Sequence, residues 1–259
     1  MSLLELRNLS KYFGGLAAVH QLNMKVNSGE IVGLIGPNGA GKTTTFNLIT
    51  GDYSPSSGNV FFDGKDISGH SPHLTAKMGI VRTFQLTALF PHLSVLENVL
   101  IGLHLHSTIG FFEALFNTRS NRRKERELNR QAEKIMEFMD LVPMKGELAK
   151  NLPHGRQRAI GIAIALAASP KLLLLDEPLT GMNLQESRTM ISTILDVRDK
   201  IETTIVIVEH NMKAVMALCE RLVVINFGRK IGEGPPEEIR KNKKVIEAYL
   251  GSENDASHD

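Results

Sequence analysis

Residues 3–6 and 17–26 mix apolar and polar positions at the two-residue period of half-buried strands. The next apolar stretch breaks that period. Ile31-Val32-Gly33-Leu34-Ile35 has no polar residue, which predicts a strand buried on both faces. A helix is expected over residues 43–49. Asn59-Val60-Phe61-Phe62, an Asp63-Gly64 turn and residues 65–67 read as a hairpin or edge piece. Residues 80–84 form another short strand, ending at Gln85.

From residue 91 to about residue 168 the pattern changes to helix. Ser94-Val95-Leu96-Glu97 is a capping box opening a helix through roughly Leu103. A second helix is expected from about residue 121 to 139, with Ala132, Ile135, Met136 and Met139 on one face. The aromatic-rich segment between them, residues 107–118, gives no clear period. After Pro170 the chain returns to alternating strands and helices. Strands are expected at 171–175, 203–208 and 222–226, with a capped helix from Asn183 and another from Asn211. This is an α/β order: a parallel-sheet core with an antiparallel β subdomain, interrupted by a helical subdomain. Residues 1–86 and 169–251 carry the β subdomain and core, and 87–168 the helical part. Residues 252–259, polar and acidic, are expected to form a flexible tail.

A length of 259 residues suits one large domain with an insertion. Hydrophobic content of 42% and charged content of 22% are those of an ordinary globular protein. The 30 Lys and Arg against 28 Asp and Glu argue against general nucleic-acid affinity, so no nucleic-acid partner is expected. One cysteine, Cys219, excludes an internal disulfide and suits a reducing compartment. It shares a helical apolar pattern with Met212, Val215 and Met216, which reads as a buried, inert thiol. No secretory leader is expected at the N-terminus. The longest apolar runs, such as residues 159–168, are about half the length needed to cross a bilayer. Any membrane association is therefore expected to be peripheral.

The chemistry begins between the all-apolar strand and the first helix. Gly36-Pro37-Asn38-Gly39-Ala40-Gly41-Lys42-Thr43 fits the phosphate-binding pattern G-x-x-x-x-G-K-[ST], and Thr44 continues it into the helix. Glycines let successive backbone N–H groups turn around a phosphate, and the helix N-terminus adds partial positive charge. Lys42 is placed to reach the β- and γ-phosphates of ATP, and the Thr43 hydroxyl to ligate Mg²⁺. Leu172-Leu173-Leu174-Leu175-Asp176-Glu177 is the second signal. Ligands of parallel sheets bind at the carboxyl ends of strands, where Asp176 would hold Mg²⁺ and Glu177 would polarise a water for in-line attack. His210 closes the apolar strand Ile205-Val206-Ile207-Val208-Glu209 and can donate to a γ-phosphate oxygen. A lone histidine is more often structural, but its place at a core-strand end favours the chemical role. Gln85, at another strand end, can bind the metal or its water, and spacing alone allows a structural role equally.

In this order the residues resemble the nucleotide-binding subunit of an ATP-binding cassette transporter. The deciding element is Leu152-Pro153-His154-Gly155-Arg156-Gln157-Arg158 ahead of a helix, similar to the cassette signature Leu-Ser-Gly-Gly-Gln. The resemblance implies a P-loop NTPase with a RecA-like core. It also implies that Lys42 and Thr43 bind nucleotide and metal, Asp176 binds metal, and Glu177 is the catalytic base. By the same resemblance Gln85 and His210 are catalytic, Phe13 stacks on adenine, and residues 152–157 contact the ATP of a facing subunit. A narrower resemblance, to branched-chain amino acid importers, rests on Gly79-Ile80-Val81-Arg82-Thr83-Phe84-Gln85, the long helical insertion, Leu152-Pro153-His154-Gly155 and residues 236–251. Importers of urea, amides or aromatic acids are close relatives. A lipopolysaccharide exporter and a soluble cassette ATPase acting on nucleic acid or ribosomes are the alternatives.

Three departures stand out. Pro153 occupies the signature serine position and has neither hydroxyl nor N–H. His154 replaces a glycine, and Asn183 stands where an aspartate is usual. Missing phosphate donors lead to the expectation of a second, non-identical ATPase subunit. The resemblance also implies integral membrane permease subunits, indirectly a solute-binding protein, and a place at the cytoplasmic face of the plasma (inner) membrane. The basic tract of Arg119, Arg122, Arg123, Lys124, Arg126 and Arg130 reads as a solvated helix face, with anionic lipid headgroups as the alternative.

Overall fold

Strands β1 (Ser2–Phe13) and β2 (Leu16–Asn27) form a long antiparallel hairpin, extending past the period-two stretches that predict them. The computed structural model describes residues 2–83, 89–106 and 119–255. In β2 the alternation is clean: Leu22, Met24 and Val26 are buried, while Asn23 and Lys25 are exposed. β1 also pairs with β4 (Ser57–Phe62), which turns at Asp63-Gly64 into β5 (Lys65–Asp66). The resulting antiparallel sheet has the order β2-β1-β4-β5.

Among the described residues, the second sheet has six strands in the order β10-β9-β3-β8-β7-β6. Five are parallel: β3 (Ile31–Ile35), β6 (Ile80–Thr83), β7 (Leu172–Asp176), β8 (Thr204–Val208) and β9 (Arg221–Asn226). β10 (Arg229–Gly234) runs antiparallel to β9. The sheet divides two cores, which is why its strands lack polar positions. Ile31, Ile35, Leu173 and Leu175 enter one core with the helices. Val32, Leu34, Leu172 and Leu174 enter the other with the β1–β2 hairpin.

Helix α1 (Lys42–Thr50) follows β3, and a short α2 (Pro72–Lys77) precedes β6. The helical part holds α3 (Val95–His106), α4 (Arg119–Phe138) and α5 (His154–Ala167). The capping box is present: Ser94 N–H donates to Glu97 Oε2 at 2.7 Å, and Glu97 N–H to Ser94 Oγ at 3.2 Å. α3 and α5 meet at Gly102, where a Cβ would lie 2.8 Å from Ile164 O. On α4 and just beyond it Ala132, Met136 and Met139 are buried and Ile135 is half-buried, while Arg123, Arg126 and Arg130 are exposed.

Helices α6 (Leu184–Ile201), α7 (Met212–Leu218), α8 (Pro236–Ile239) and α9 (Lys243–Asp255) complete the chain. Residues 252–255 continue α9, so the end expected to fray from 252 begins inside a helix. β10, α2 and α8 carry too little apolar period to be read from sequence. Among the described residues, no helix is long and apolar enough to cross a membrane.

Candidate functional site

The order of the sheet brings the chemistry together. β8 lies between β3 and β7, so the carboxyl ends of all three open on one side. After β3 the chain turns through Gly36–Gly41 before α1 begins. Gly41, the N-cap, has φ +102°, and a Cβ there would fall 2.3 Å from Ala18 O. Only glycine fits. No side chain caps α1, which leaves its first N–H groups for an anion. Asn38, Gly39, Ala40, Gly41, Lys42, Thr43 and Thr44 line a pocket of about 420 Å³ that also includes Phe13, Glu177 and His210.

Gly36 and Pro37 are buried beneath this pocket and hold the lysine. Lys42 Nζ donates to Gly36 O at 2.7 Å and Pro37 O at 2.9 Å. Burial lowers the Lys42 ammonium below its ordinary pKa, while Glu177 and Asp176 oppose that shift. The cation therefore sits desolvated under the loop.

Asp176 ends β7 and is buried. Its Oδ2 accepts from the Arg82 guanidinium at 2.5 Å, and Arg82 also donates to Asn47 Oδ1 of α1 at 2.5 Å. Arg82 thus ties the carboxylate to the helix that follows the phosphate loop. Glu177 lies in the left-handed region at φ +47°, a strained backbone for a non-glycine residue. Its N–H donates to Val208 O at 2.9 Å, which anchors it to β8. Glu177 Oε1 is 2.6 Å from His210 Nε2, and Oε2 accepts from the Thr180 hydroxyl at 3.3 Å.

Behind this pair sits Glu209, 4% exposed. Its Oε1 accepts from Leu179 N–H at 2.8 Å, and its Oε2 from His210 N–H at 3.0 Å and Asn211 N–H at 3.2 Å. One carboxylate therefore ties the Glu177 loop to the His210 loop. The motifs do not single out Glu209 or Arg82, although each is a charged residue within an apolar core strand or at its end. Nor does any motif mark Leu16, Ala17, Ala18 and Phe227, which line the pocket.

The signature residues lie elsewhere. Leu152 is buried, Pro153 is the N-cap of α5, and His154 opens that helix, exposed. Gly155 and Arg156 line a separate hollow of about 260 Å³ together with Asp140 and Glu186. Arg156 donates to Asp140 O at 2.9 Å and Oδ2 at 3.1 Å, which ties α5 to the end of α4. Gln157 Nε2 donates to Leu152 O at 2.9 Å. Asn183 caps α6, accepting from Gln185 and Glu186 N–H groups. Gln85 lies outside the described residues. Phe13 stands at the pocket rim, packed edge-on to Tyr53 with centroids 5.3 Å apart.

A family model described as ABC transporter matches residues 19–180, well over half of the chain. The chain belongs to the ABC transporter ATPases. A second model, described as branched-chain amino acid ATP-binding cassette transporter, matches this ABC ATPase over residues 229–255. It is 41% identical over 249 residues to the high-affinity branched-chain amino acid transport ATP-binding protein BraF of Pseudomonas aeruginosa, covering 96% of this chain and 98% of that one. It is 34% identical to the lipopolysaccharide export system ATP-binding protein LptB of Escherichia coli, covering 98% and 99%. Among solved structures, a nucleotide-free ATP-binding cassette from an ABC transporter matches with a TM-score of 0.85 at 33% identity, covering 96% of this chain and 99% of that one. The ADP conformation of another such cassette matches with a TM-score of 0.85 at 32% identity, covering 97% and 99%. The ABC ATPase thus has the α/β P-loop NTPase fold expected from its sequence.

Proposed function

We propose that this ABC ATPase binds ATP with Mg²⁺ in the phosphate-loop pocket and drives import of branched-chain amino acids through integral membrane permease subunits. The observation that carries the site is one pocket joining Lys42, Thr43, Glu177 and His210, with Glu177 and His210 2.6 Å apart. The oxygen donors suit the cation: an exposed Thr43 hydroxyl, and the Asp176 carboxylate at a neighbouring strand end. When bound, the cation neutralises charge developing on the phosphate oxygens. Lys42 supplies the fixed positive charge for the β- and γ-phosphates. Glu177 accepts the proton of the attacking water, and His210 orients Glu177 and donates toward the γ-phosphate. Gln85, two positions after β6 in the sequence, takes part as a ligand of the metal or its water. Phe13 stacks on the adenine.

The substrate assignment is supported by the branched-chain type match over residues 229–255 and by relatives with that name. The protein acts peripherally at the cytoplasmic face of the plasma (inner) membrane, fed indirectly by a solute-binding protein. Its second ATPase subunit is a different chain. Pro153 offers no N–H to a facing nucleotide, and the residues around it open on a hollow apart from the phosphate loop.

The test is reconstitution with the permease subunits, the second ATPase and a solute-binding protein in vesicles. Leucine, isoleucine or valine stimulates ATP hydrolysis, and this chain alone turns over about 10²-fold more slowly because a signature donor is missing. Stimulation only by urea, amides, aromatic acids, lipopolysaccharide or nucleic acid would overturn the substrate. Equal rates for the lone chain and the complex would overturn the unlike pair.

A further inference from the structure

Strands β9 and β10 are joined by the shortest kind of hairpin turn: Asn226 pairs with Arg229, and only Phe227 and Gly228 lie between. Both have positive φ, 44° and 73°. Such a turn favours Asn-Gly, because both central residues enter the left-handed region. Gly228 meets that requirement and Phe227 violates it, since a bulky side chain at positive φ is an outlier. Burial does not compensate. Phe227 is 80% exposed, the most exposed large apolar side chain among the described residues.

The turn is also held still. Gly228 N–H donates to Ala40 O of the phosphate loop at 2.9 Å, and Gly228 O accepts from His20 N–H of β2 at 2.8 Å. A Cβ on Gly228 would lie 2.8 Å from Ala18 O, so the hairpin tip is pressed against β2. The backbone of Phe227 is therefore held in place, and its side chain lines the phosphate-loop pocket. Leu16, 68% exposed, and Phe13, 43% exposed, line the same pocket. One end of the pocket thus carries backbone amides and Lys42, while three exposed apolar side chains stand around it.

A ligand that is anionic at one end and flat and aromatic at the other matches this division. We propose that Phe227 is a nucleobase contact that grips the base together with Phe13 and Leu16. Strain and exposure at this position are then explained by a ligand rather than by folding. The inference rests on the nucleotide reading of the pocket and deepens it by adding a residue that contacts the base.

The variant Phe227→Asn separates ligand binding from stability, because asparagine suits this turn better than phenylalanine. Titration calorimetry on the purified full chain measures binding of ADP and of inorganic tripolyphosphate, which has no base. Phe227→Asn weakens ADP by at least about five-fold, the effect of losing one aromatic contact to a base. Tripolyphosphate binding stays as in the parent, and the melting temperature without nucleotide does not fall. Phe227→Tyr keeps the aromatic face and restores ADP affinity. ADP binding by Phe227→Asn within about two-fold of the parent overturns the inference, as does an equal loss for tripolyphosphate. If the parent chain binds neither ligand, the nucleotide reading itself fails, and this inference with it.

Discussion

Glu209→Gln keeps the shape of a buried side chain and changes only what it can accept. In the native chain its two oxygens receive three backbone N–H groups, from Leu179, His210 and Asn211. An amide has one oxygen, so its NH₂ must face either Leu179 N–H or the other two donors. His210 and Asn211 are exposed and can turn to water, whereas Leu179 is buried. The amide oxygen therefore stays on Leu179 N–H and the NH₂ faces the other two donors, so two hydrogen bonds to a charged acceptor are lost, together about 1–3 kcal/mol. For 259 residues, with an unfolding entropy of roughly 2.1 cal/mol/K per residue, each kcal/mol lowers the midpoint by about 2 °C. Thermal melts followed by circular dichroism should show a drop of about 2–6 °C. Because the carboxylate holds the Glu177 loop to His210, kcat of the reconstituted complex falls more than nucleotide affinity does. A variant that melts within about 1 °C of the parent and turns over normally would refute the tether.

Two other outcomes follow from the same geometry. Glu177→Gln retains ATP binding by calorimetry but loses turnover by about 10²-fold or more, since the amide cannot take a proton; near-parental turnover would remove Glu177 as base. Cys219 is pushed up to about 12 by burial, with Glu220 and Glu209 adding to the shift. An acid with a raised folded pKa keeps its full contribution below the unfolded value near 9 and loses it as pH rises toward the folded one. Urea melts should therefore weaken progressively between pH 9 and about 12 by more than in Cys219→Ala, and equal slopes would discount the thiol.

The parallel core was legible because its strands touch two cores and so have no polar face to hide them. Ile31–Ile35 and Leu172–Asp176 could be read directly from their runs of apolar residues. β10 was not legible, because Arg229–Gly234 is an edge strand with two glycines and no buried residue. α2 has six residues and buries only Thr75, too little for any period to show. The phosphate loop and the strand-end acids declare themselves by residue type. Their companions do not: Arg82 meets Asp176 across 94 positions of chain, and only the strand order brings the two together. Phe227 gave no signal, since a turn at Phe-Gly reads as weaker than one at Asn-Gly. The misfit becomes visible only with its backbone angle and its neighbours.

The sheet that separates two cores also limits how this chain can change in length. Along β3 and β7, odd and even positions serve different neighbours, the helices on one side and the β1–β2 hairpin on the other. Inserting or deleting one residue there would exchange the two sets at once and swing Lys42 or Asp176 to the wrong side. A lineage can lengthen surface connections of this cassette by small steps. Within these five-residue strands it can change side chains, but it cannot change their number.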